Sequence, residues 1–330
     1  MSGNGMPGRG EIARLLAGAL RALAAGGTRL RPLNAAGRPG GLVCLPPSRY
    51  VVIVPDLHAR AEFLRAIMRA RLAVGYGSVE QDLAAGHVCV VCVGDAFHAE
   101  ARAKDRWRLA YREYVDGYTY SPAMDEEMAE NFETLCEVAR LQAAYPHRFH
   151  FLKGNHENIA NERREGNFPF RKFAYEGEMV REWVRGRLGD DLFRLVYTWE
   201  KALPLAAAGD GVLVTHAEPP VALTPRRIVD AYLDPRVIAG LTWTGNEQAE
   251  EGSVARTLDT FFPDRTRSRM FGGHRPVADR YALRQDGHYV QINTPNRWVV
   301  AAFRSVDEFD PELDTVDLAE AARIYHGSDT

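Results

Sequence analysis

The residues with the most chemistry in this chain are a spaced set of carboxylates, imidazoles and one amide, each standing directly after a short apolar run. Asp56 and His58 lie two apart in PDLHAR, after VVIV. In extended backbone, residues two apart face the same way, so this pair can hold one cation. Taken alone, such a pair more often marks a surface loop. Asp95, in GDAFHAE, follows a glycine, where a carboxylate projects freely and can use both oxygens to bridge two cations. Asn155, in GNHEN, offers a neutral amide oxygen with His156 beside it, a far more specific combination. His216 in THAEP and His274 in FGGHRPV complete the set. Singly, each of these histidines reads as a hydrogen-bonded structural residue; in company they read as ligands. Asp, His, Asp, Asn, His and His supply mixed nitrogen and oxygen donors for two borderline divalent ions, without the thiolates of a structural zinc site. Mn, Fe and Zn all suit such donors.

The elements that must position these residues are legible around them. VVIVP ends at Asp56, HVCVVCVG at Asp95, RFHFLKG at Asn155, GVLVT at His216 and RMFGG at His274. Short β-rich runs separated by helical stretches predict an α/β sheet architecture, which gathers strand-end loops along one edge and lets five such loops meet. HYVQINTP and RWVVAAFR predict two further strands. Residues 1–41 read as a flexible start, an amphipathic helix over Glu11–Gly27 and a Gly/Pro/Arg loop; residues 42–304 form the catalytic domain; residues 305–330 form an acidic tail. Within that tail Asp307, Glu308, Asp310, Glu312, Asp314 and Asp317 are expected to be solvated.

Composition narrows the class. With 46% hydrophobic and 26% charged residues, the chain has the balance of a soluble protein with a substantial core, which excludes disorder as its dominant state. A net charge of -3 gives no electrostatic case for a nucleic-acid or membrane partner. No apolar run approaches the roughly 20 residues needed to span a bilayer. Arg14 and Arg21 interrupt what would otherwise resemble a secretion signal. The four cysteines are too few for a disulfide scaffold, and Cys89 and Cys92, three apart in a strand, point to opposite faces and cannot form a zinc knuckle. A cytoplasmic, reducing location is expected. The sequence carries no signal of an oligomeric state.

D-x-H, G-D-x, G-N-H-E, His and G-H, in this order, resemble the calcineurin-like metallophosphoesterases, and the linking segments resemble the PPP-type serine/threonine phosphatases in particular. ENFETLCEVARLQAAYPHRFHFLKGNHE is similar to that family's helix and strand leading into GNHE, and WEKALPLAAAGDGVLVTHAEPP to its Leu-Pro-Leu-Ala-Ala run before a ligand histidine. GLTWTGNE stands where the family has a Trp-Ser-Asp-Pro type segment, and YVQINTPN resembles its Ser-Ala-Pro-Asn strand. The similarity runs from about Tyr50 to Arg304. It implies an αββα sandwich of two mixed sheets flanked by helices. It also implies one metal on Asp56, His58 and Asp95, and a second on Asp95, Asn155, His216 and His274. Two such ions would hold a bridging water as hydroxide for in-line attack on phosphorus, and His156 would be the general acid for the leaving alcohol. The expected substrate is phosphorylated: a phosphoprotein, a nucleotide or a small phosphoester.

The pattern breaks at two places. Where the phosphatases continue with Val-Asp-Arg-Gly, this chain has Phe97, His98, Ala99 and Glu100, so an orienting carboxylate becomes His98 and a phosphate-gripping arginine becomes Ala99. A second family arginine falls on Ile159. Two charge-assisted contacts to a phosphate dianion are thereby lost. G-D-x-F-H resembles the diesterase and repair-nuclease branches, where such a histidine assists the leaving group, so diester, nucleotide or dinucleoside polyphosphate hydrolysis is the alternative and His98 a second catalytic candidate. A metal-binding scaffold without catalysis is the rival from another class. An insertion over about 100–128, rich in arginines and aromatics, is expected to supply the missing cations through Arg102 and Arg106, with Arg256 and Arg275 as competitors. Its bland reading is a helical elaboration whose aromatics pack on the domain.

Overall fold

The computed structural model describes residues 5–319. Eleven strands among these residues form two sheets. The first contains β2 (Tyr50–Val54), β3 (Val88–Cys92), β4 (Phe149–Phe151), β10 (Val299–Phe303) and β11 (Thr315–Asp317), in the order β11-β10-β2-β3-β4. β2, β3 and β4 run parallel, with Ile53 opposite Val91 and Val91 opposite His150. The second contains β1 (Leu42–Cys44), β5 (Ala206–Gly209), β6 (Val212–Thr215), β7 (Arg269–Gly272), β8 (Ala282–Arg284) and β9 (Tyr289–Gln291), in the order β1-β5-β6-β7-β9-β8. β6, β7 and β9 run parallel, so both sheets direct three parallel strand ends toward the ligand-bearing loops.

Alternation along the strands explains the layers. Val91 and Val93 face inward with Ile53, Leu152, Val214, Phe271 and Phe303, and form the core between the sheets. Phe271 of β7 stacks on Phe303 of β10 with ring centres 5.1 Å apart. Val88, Val90 and Cys92 face the other way. They pack against α1 (Arg9–Ala25), α3 (Ala61–Arg69), α4 (Val79–Ala85), α5 (Lys104–Val115), α6 (Pro122–Ala144) and α7 (Glu176–Ala202); α2 (Gly27–Leu30) is a single turn. The outer face of the second sheet is covered by α8 (Pro225–Val229), α9 (Pro235–Trp243) and α10 (Ser253–Phe261) through Ile228, Ile238, Leu241 and Leu258. The architecture is the αββα sandwich. Cys89 and Cys92 lie in separate layers, as their spacing requires, and all four cysteines are free. No described helix is long and apolar enough to cross a membrane.

Two segments differ from the sequence reading. The acidic stretch is solvated only in part: Asp307, Glu308, Asp310 and Glu312 are exposed as expected, but α11 (Pro311–Asp314) leads into β11, which pairs antiparallel with β10, and Asp317 is buried. Asp317 accepts from Arg297 Nε at 2.7 Å, and Glu312 from Arg280 at 2.6 Å. Here the local charge pattern gave way to strand pairing at an open sheet edge. The insertion is the helical elaboration: a 3-10 turn at Glu100–Ala103, then α5, which buries Trp107 and Ala110 against the domain, then the start of α6. The expected amphipathic helix is α1, which begins at Arg9; residues 1–4 at the start, and 320–330 at the end of the acidic tail, lie outside the described residues.

Candidate metal centre

Every ligand-type residue singled out from the sequence lies just beyond the C-terminal end of a strand. Asp56 and His58 follow β2, Asp95 and His98 follow β3, Asn155 and His156 follow β4, His216 follows β6 and His274 follows β7. The chain turns sharply to aim them. His58, Asp95, His98, Glu100 and His274 all adopt positive φ, between 46° and 75°. For non-glycine residues this costs on the order of 1 kcal/mol or more each, and such conformations cluster at functional sites. Glycine is needed where backbone meets these carboxylates: a Cβ at Gly154 would collide with Asp95 Oδ1, and one at Gly273 with Asp56 Oδ2.

Four donor atoms converge around one point. His216 Nε2 lies 3.0 Å from Asn155 Oδ1, 3.2 Å from His274 Nδ1 and 3.5 Å from Asp95 Oδ2, and His274 Nδ1 lies 3.1 Å from Asn155 Oδ1. Donors bound at about 2.1 Å to a common cation sit roughly 3.0–3.5 Å apart, so the spacing fits a metal. His216 Nδ1 faces the carbonyl of Val93 at 3.1 Å, which selects the tautomer that leaves Nε2 a lone pair for the cluster. A second group, Asp56, His58 and Asp95, has its donor atoms within 4.8 Å of one another, with His58 Nε2 3.9 Å from Asp95 Oδ2. Asp95 belongs to both groups.

The electrostatics fit the same reading. Burial pushes Asp56 up to about 7 and raises Asp95 well above the usual carboxylate range, with the charges of Glu157 and Asp56 adding to the effect on Asp95. Burial likewise lowers His58 to about 3, His274 to about 4, and His156 and His216 well below an ordinary imidazole. A divalent cation would favour ionised carboxylates and neutral imidazoles at once. At the cluster, the buried His156 Nδ1 has no hydrogen-bond partner among the described residues.

The loops are held by Glu157, whose carboxylate accepts from the backbone N–H of Asp95 (2.9 Å), Ala96 (2.8 Å) and Gly154 (2.7 Å). It locks the loops after β3 and β4 together. His156 N–H donates to Asp95 Oδ1 at 2.9 Å, and its ring lies 4.3 Å from that of Phe170. His98 sits one layer behind, its ring 5.0 Å from that of His156 and stacked on Trp107 at 4.7 Å. Its side chain is wholly enclosed between Glu100 (3.4 Å) and Glu176 (3.7 Å). Burial works against its charge, but the bonds to Glu100 and Glu176 outweigh it and raise His98 to about 9.

A cavity of about 160 Å³ opens over this cluster. Its cationic residues are Arg171, Lys172 and Arg275, and Phe170 and Trp243 supply aromatic walls. Arg275 is exposed, and its guanidinium has no hydrogen-bond or ion-pair partner among the described residues. Lys172 pairs with Glu100, and Arg171 with Glu178. The other expected cations are elsewhere. Arg106 is bound by Glu126, Glu127 and Glu130, while Arg102 is held by Glu130 and the Ala59 carbonyl. Arg256 pairs with Glu250 on the surface. The carboxylates of α6, one helix away, outcompete any pull toward the cavity, so the insertion does not bring Arg102 or Arg106 to it. Ala99 and Ile159 are buried and offer nothing in their place. Glu100, Arg171 and Lys172 escaped the sequence reading because nothing local marks a return to the site. Only the closeness of Glu100 to His98 hinted at it.

No family model and no curated protein sequence matches the chain. Among solved structures, a protein serine/threonine phosphatase from Saccharomyces cerevisiae superposes with a TM-score of 0.55 at 12% identity, covering 94% of this chain and 89% of its own. A cold-active protein-tyrosine phosphatase of a psychrophile, Shewanella sp., gives a TM-score of 0.48 at 14% identity, over 78% of this chain and 76% of that one. At such identities the likeness speaks to the fold alone, and the first comparison carries it. The fold is thus one shared with the Saccharomyces cerevisiae phosphatase, and the ligand-type residues gather at its strand ends.

Proposed function

We propose that the chain is a two-metal phosphoesterase acting on phosphate monoesters, in the manner of the serine/threonine phosphatases its segments resemble. The observation that carries this reading is the position of Asp95 Oδ2, 3.5 Å from His216 Nε2 on one side and 3.9 Å from His58 Nε2 on the other. One carboxylate between two sets of donors is the arrangement a cation pair needs. Asp56, His58 and Asp95 would hold the first ion and Asp95, Asn155, His216 and His274 the second. Two divalent ions there would supply a nucleophilic hydroxide from water at neutral pH and charge to balance the phosphoryl oxygens.

The chain's own residues account for the rest. Arg275, exposed and unengaged beside His274, binds outward-facing phosphoryl oxygens in place of the arginines absent at Ala99 and Ile159. His156, on the cavity wall, delivers a proton to the leaving alcohol. Burial, with the charge of His98, keeps its imidazole neutral; an anionic substrate seated beside it pulls the other way and lets it carry the proton. Enclosed behind it, His98 fixes the ring's surroundings and does not meet the alcohol. Phe170 and Trp243 flank the position of the organic group and limit water access.

Diester or nucleotide hydrolysis is the second reading, favoured by the burial of Ala99 and Ile159, which leaves fewer fixed cations for a dianion. The test is hydrolysis of para-nitrophenyl phosphate and its bis-ester by protein of measured metal content. Turnover that requires metal, ends on chelation and is abolished by Asp95→Asn is expected. Protein carrying two metals per chain without turnover on either ester would point to the scaffold, and protein that takes up no metal would remove the reading altogether.

A further inference from the structure

We propose that Glu100 is a ligand of the first cation, adding a third carboxylate to Asp56 and Asp95 and making that position the harder of the two. The inference rests on the two-metal reading. Glu100 stands on the cavity wall with only 13% of its side chain exposed. Its Oε1 lies 4.0 Å from His58 Nε2, and the donor atoms of His58, Glu100 and His156 all fall within 4.8 Å of one another. Two ligands on opposite sides of one cation, each bonded at about 2.0–2.2 Å, are separated by about 4 Å. The neighbouring His156, itself buried, leaves Nδ1 without a partner among the described residues. Glu100 is also fixed in direction. Lys172 pairs with Oε2, while His98 Nδ1 sits 3.4 Å from Oε1, so the oxygen nearer His58 is held inward.

The donor sets then differ in kind. The first position has three carboxylates and one imidazole. The second has one carboxylate, one amide and two imidazoles. Carboxylate oxygen suits Mn, whereas imidazole suits Zn and Fe, so the first position favours Mn²⁺ and the second a softer ion. Bound there, a Glu100 oxygen would take a position otherwise open to solvent or a phosphoryl oxygen, and its negative charge would lessen the pull on a dianionic substrate.

The test is Mn²⁺ binding to stripped protein, followed by isothermal titration and by the electron paramagnetic resonance of the bound ion. Wild type is expected to take two Mn²⁺ per chain. Glu100→Gln should weaken one position by about 10-fold or more and leave the other unchanged, with an altered resonance from the remaining ions. Lys172→Met removes the competing partner of Glu100 and should leave both affinities intact or tighten the first. If Glu100→Gln does not fold, Glu100→Asp, which keeps the charge but withdraws the oxygen by one methylene, should weaken the same position. Wild-type affinities at both positions in the Glu100 variants overturn the proposal. So does an equal loss in Lys172→Met, because the effect would then come from the ion pair. Wild type that binds no Mn²⁺, Fe or Zn overturns the two-metal reading itself, a result distinct from either of these.

Discussion

Arg275→Ala separates substrate binding from folding more cleanly than any other change at the cavity. The guanidinium is exposed at the rim, beside the predicted ligand His274, and no carboxylate claims it. Its removal therefore strands no partner. Lys172→Ala would free Glu100 and Arg171→Ala would free Glu178, so either would mix two effects. A charge-assisted hydrogen bond contributes roughly 1.5–3 kcal/mol, and the exposed position argues for the lower end, about 1.5–2 kcal/mol. On a monoester dianion this predicts a loss of about 10- to 30-fold in kcat/KM. A diester carries one fewer negative charge, so about half the energy and a loss of about 3- to 5-fold are expected. Stability should stay within about 0.5 kcal/mol of wild type, because nothing buried is disturbed. The assay is steady-state kinetics on both para-nitrophenyl esters with metal content measured in parallel. Equal losses on the two substrates, or no loss on the monoester, would refute the reasoning.

Two further outcomes follow from groups that hold the scaffold. His150 on β4 is buried, and burial lowers it to about 4, so as the pH falls the unfolded chain binds a proton before the folded one does; stability present above about pH 6.5 is lost as pH drops toward 4. Between pH 7.5 and 5 this amounts to about 2 kcal/mol, and urea unfolding of His150→Gln should show a shallower loss than wild type by that amount; parallel curves would contradict it. Glu157→Gln keeps the shape but takes a charged acceptor from three backbone N–H groups, and should cost about 2–4 kcal/mol in thermal or urea unfolding, with weaker metal binding as the loops loosen. An unchanged midpoint would show that the loops hold without it.

The reach of the sequence depended on how locally each feature was determined. Buried parallel strands are continuous Val, Ile and Cys runs, so VVIV and VCVVC announced themselves, and the residues just past them had to lie at one sheet edge. Of the residues Glu157 holds, only Gly154 shares its loop; Asp95 and Ala96 stand 62 and 61 residues earlier, a contact no local pattern shows. The cavity's cations could not be read locally either. Arg102 and Arg106 are near Asp95 in sequence, yet Glu126, Glu127 and Glu130, one helix further on, bind them first. Lys172 follows Asn155 by a loop whose return to the site is set by Asn158 and Asn161 hydrogen bonds to Phe168 and Gly177, which no periodicity reveals. Thr315–Asp317 was hidden for a different reason: three residues among acids carry too little pattern to compete with the charge around them.

That short strand has a consequence for the chain's behaviour in company. Without β11, the outer edge of the first sheet would be β10, whose five residues from Val299 to Phe303 are all buried and almost wholly apolar. An edge of that kind presents a row of unpaired N–H and C=O groups on a sticky surface, the template from which aggregates grow. Thr315–Asp317 covers it, fastened by Asp317 to Arg297 and surrounded by acids that repel an approaching copy of the same edge. The acidic segment thus acts as a guard rail for the sheet, and a chain shortened before Thr315 would lose its protection against self-association while every residue of the metal centre remained in place.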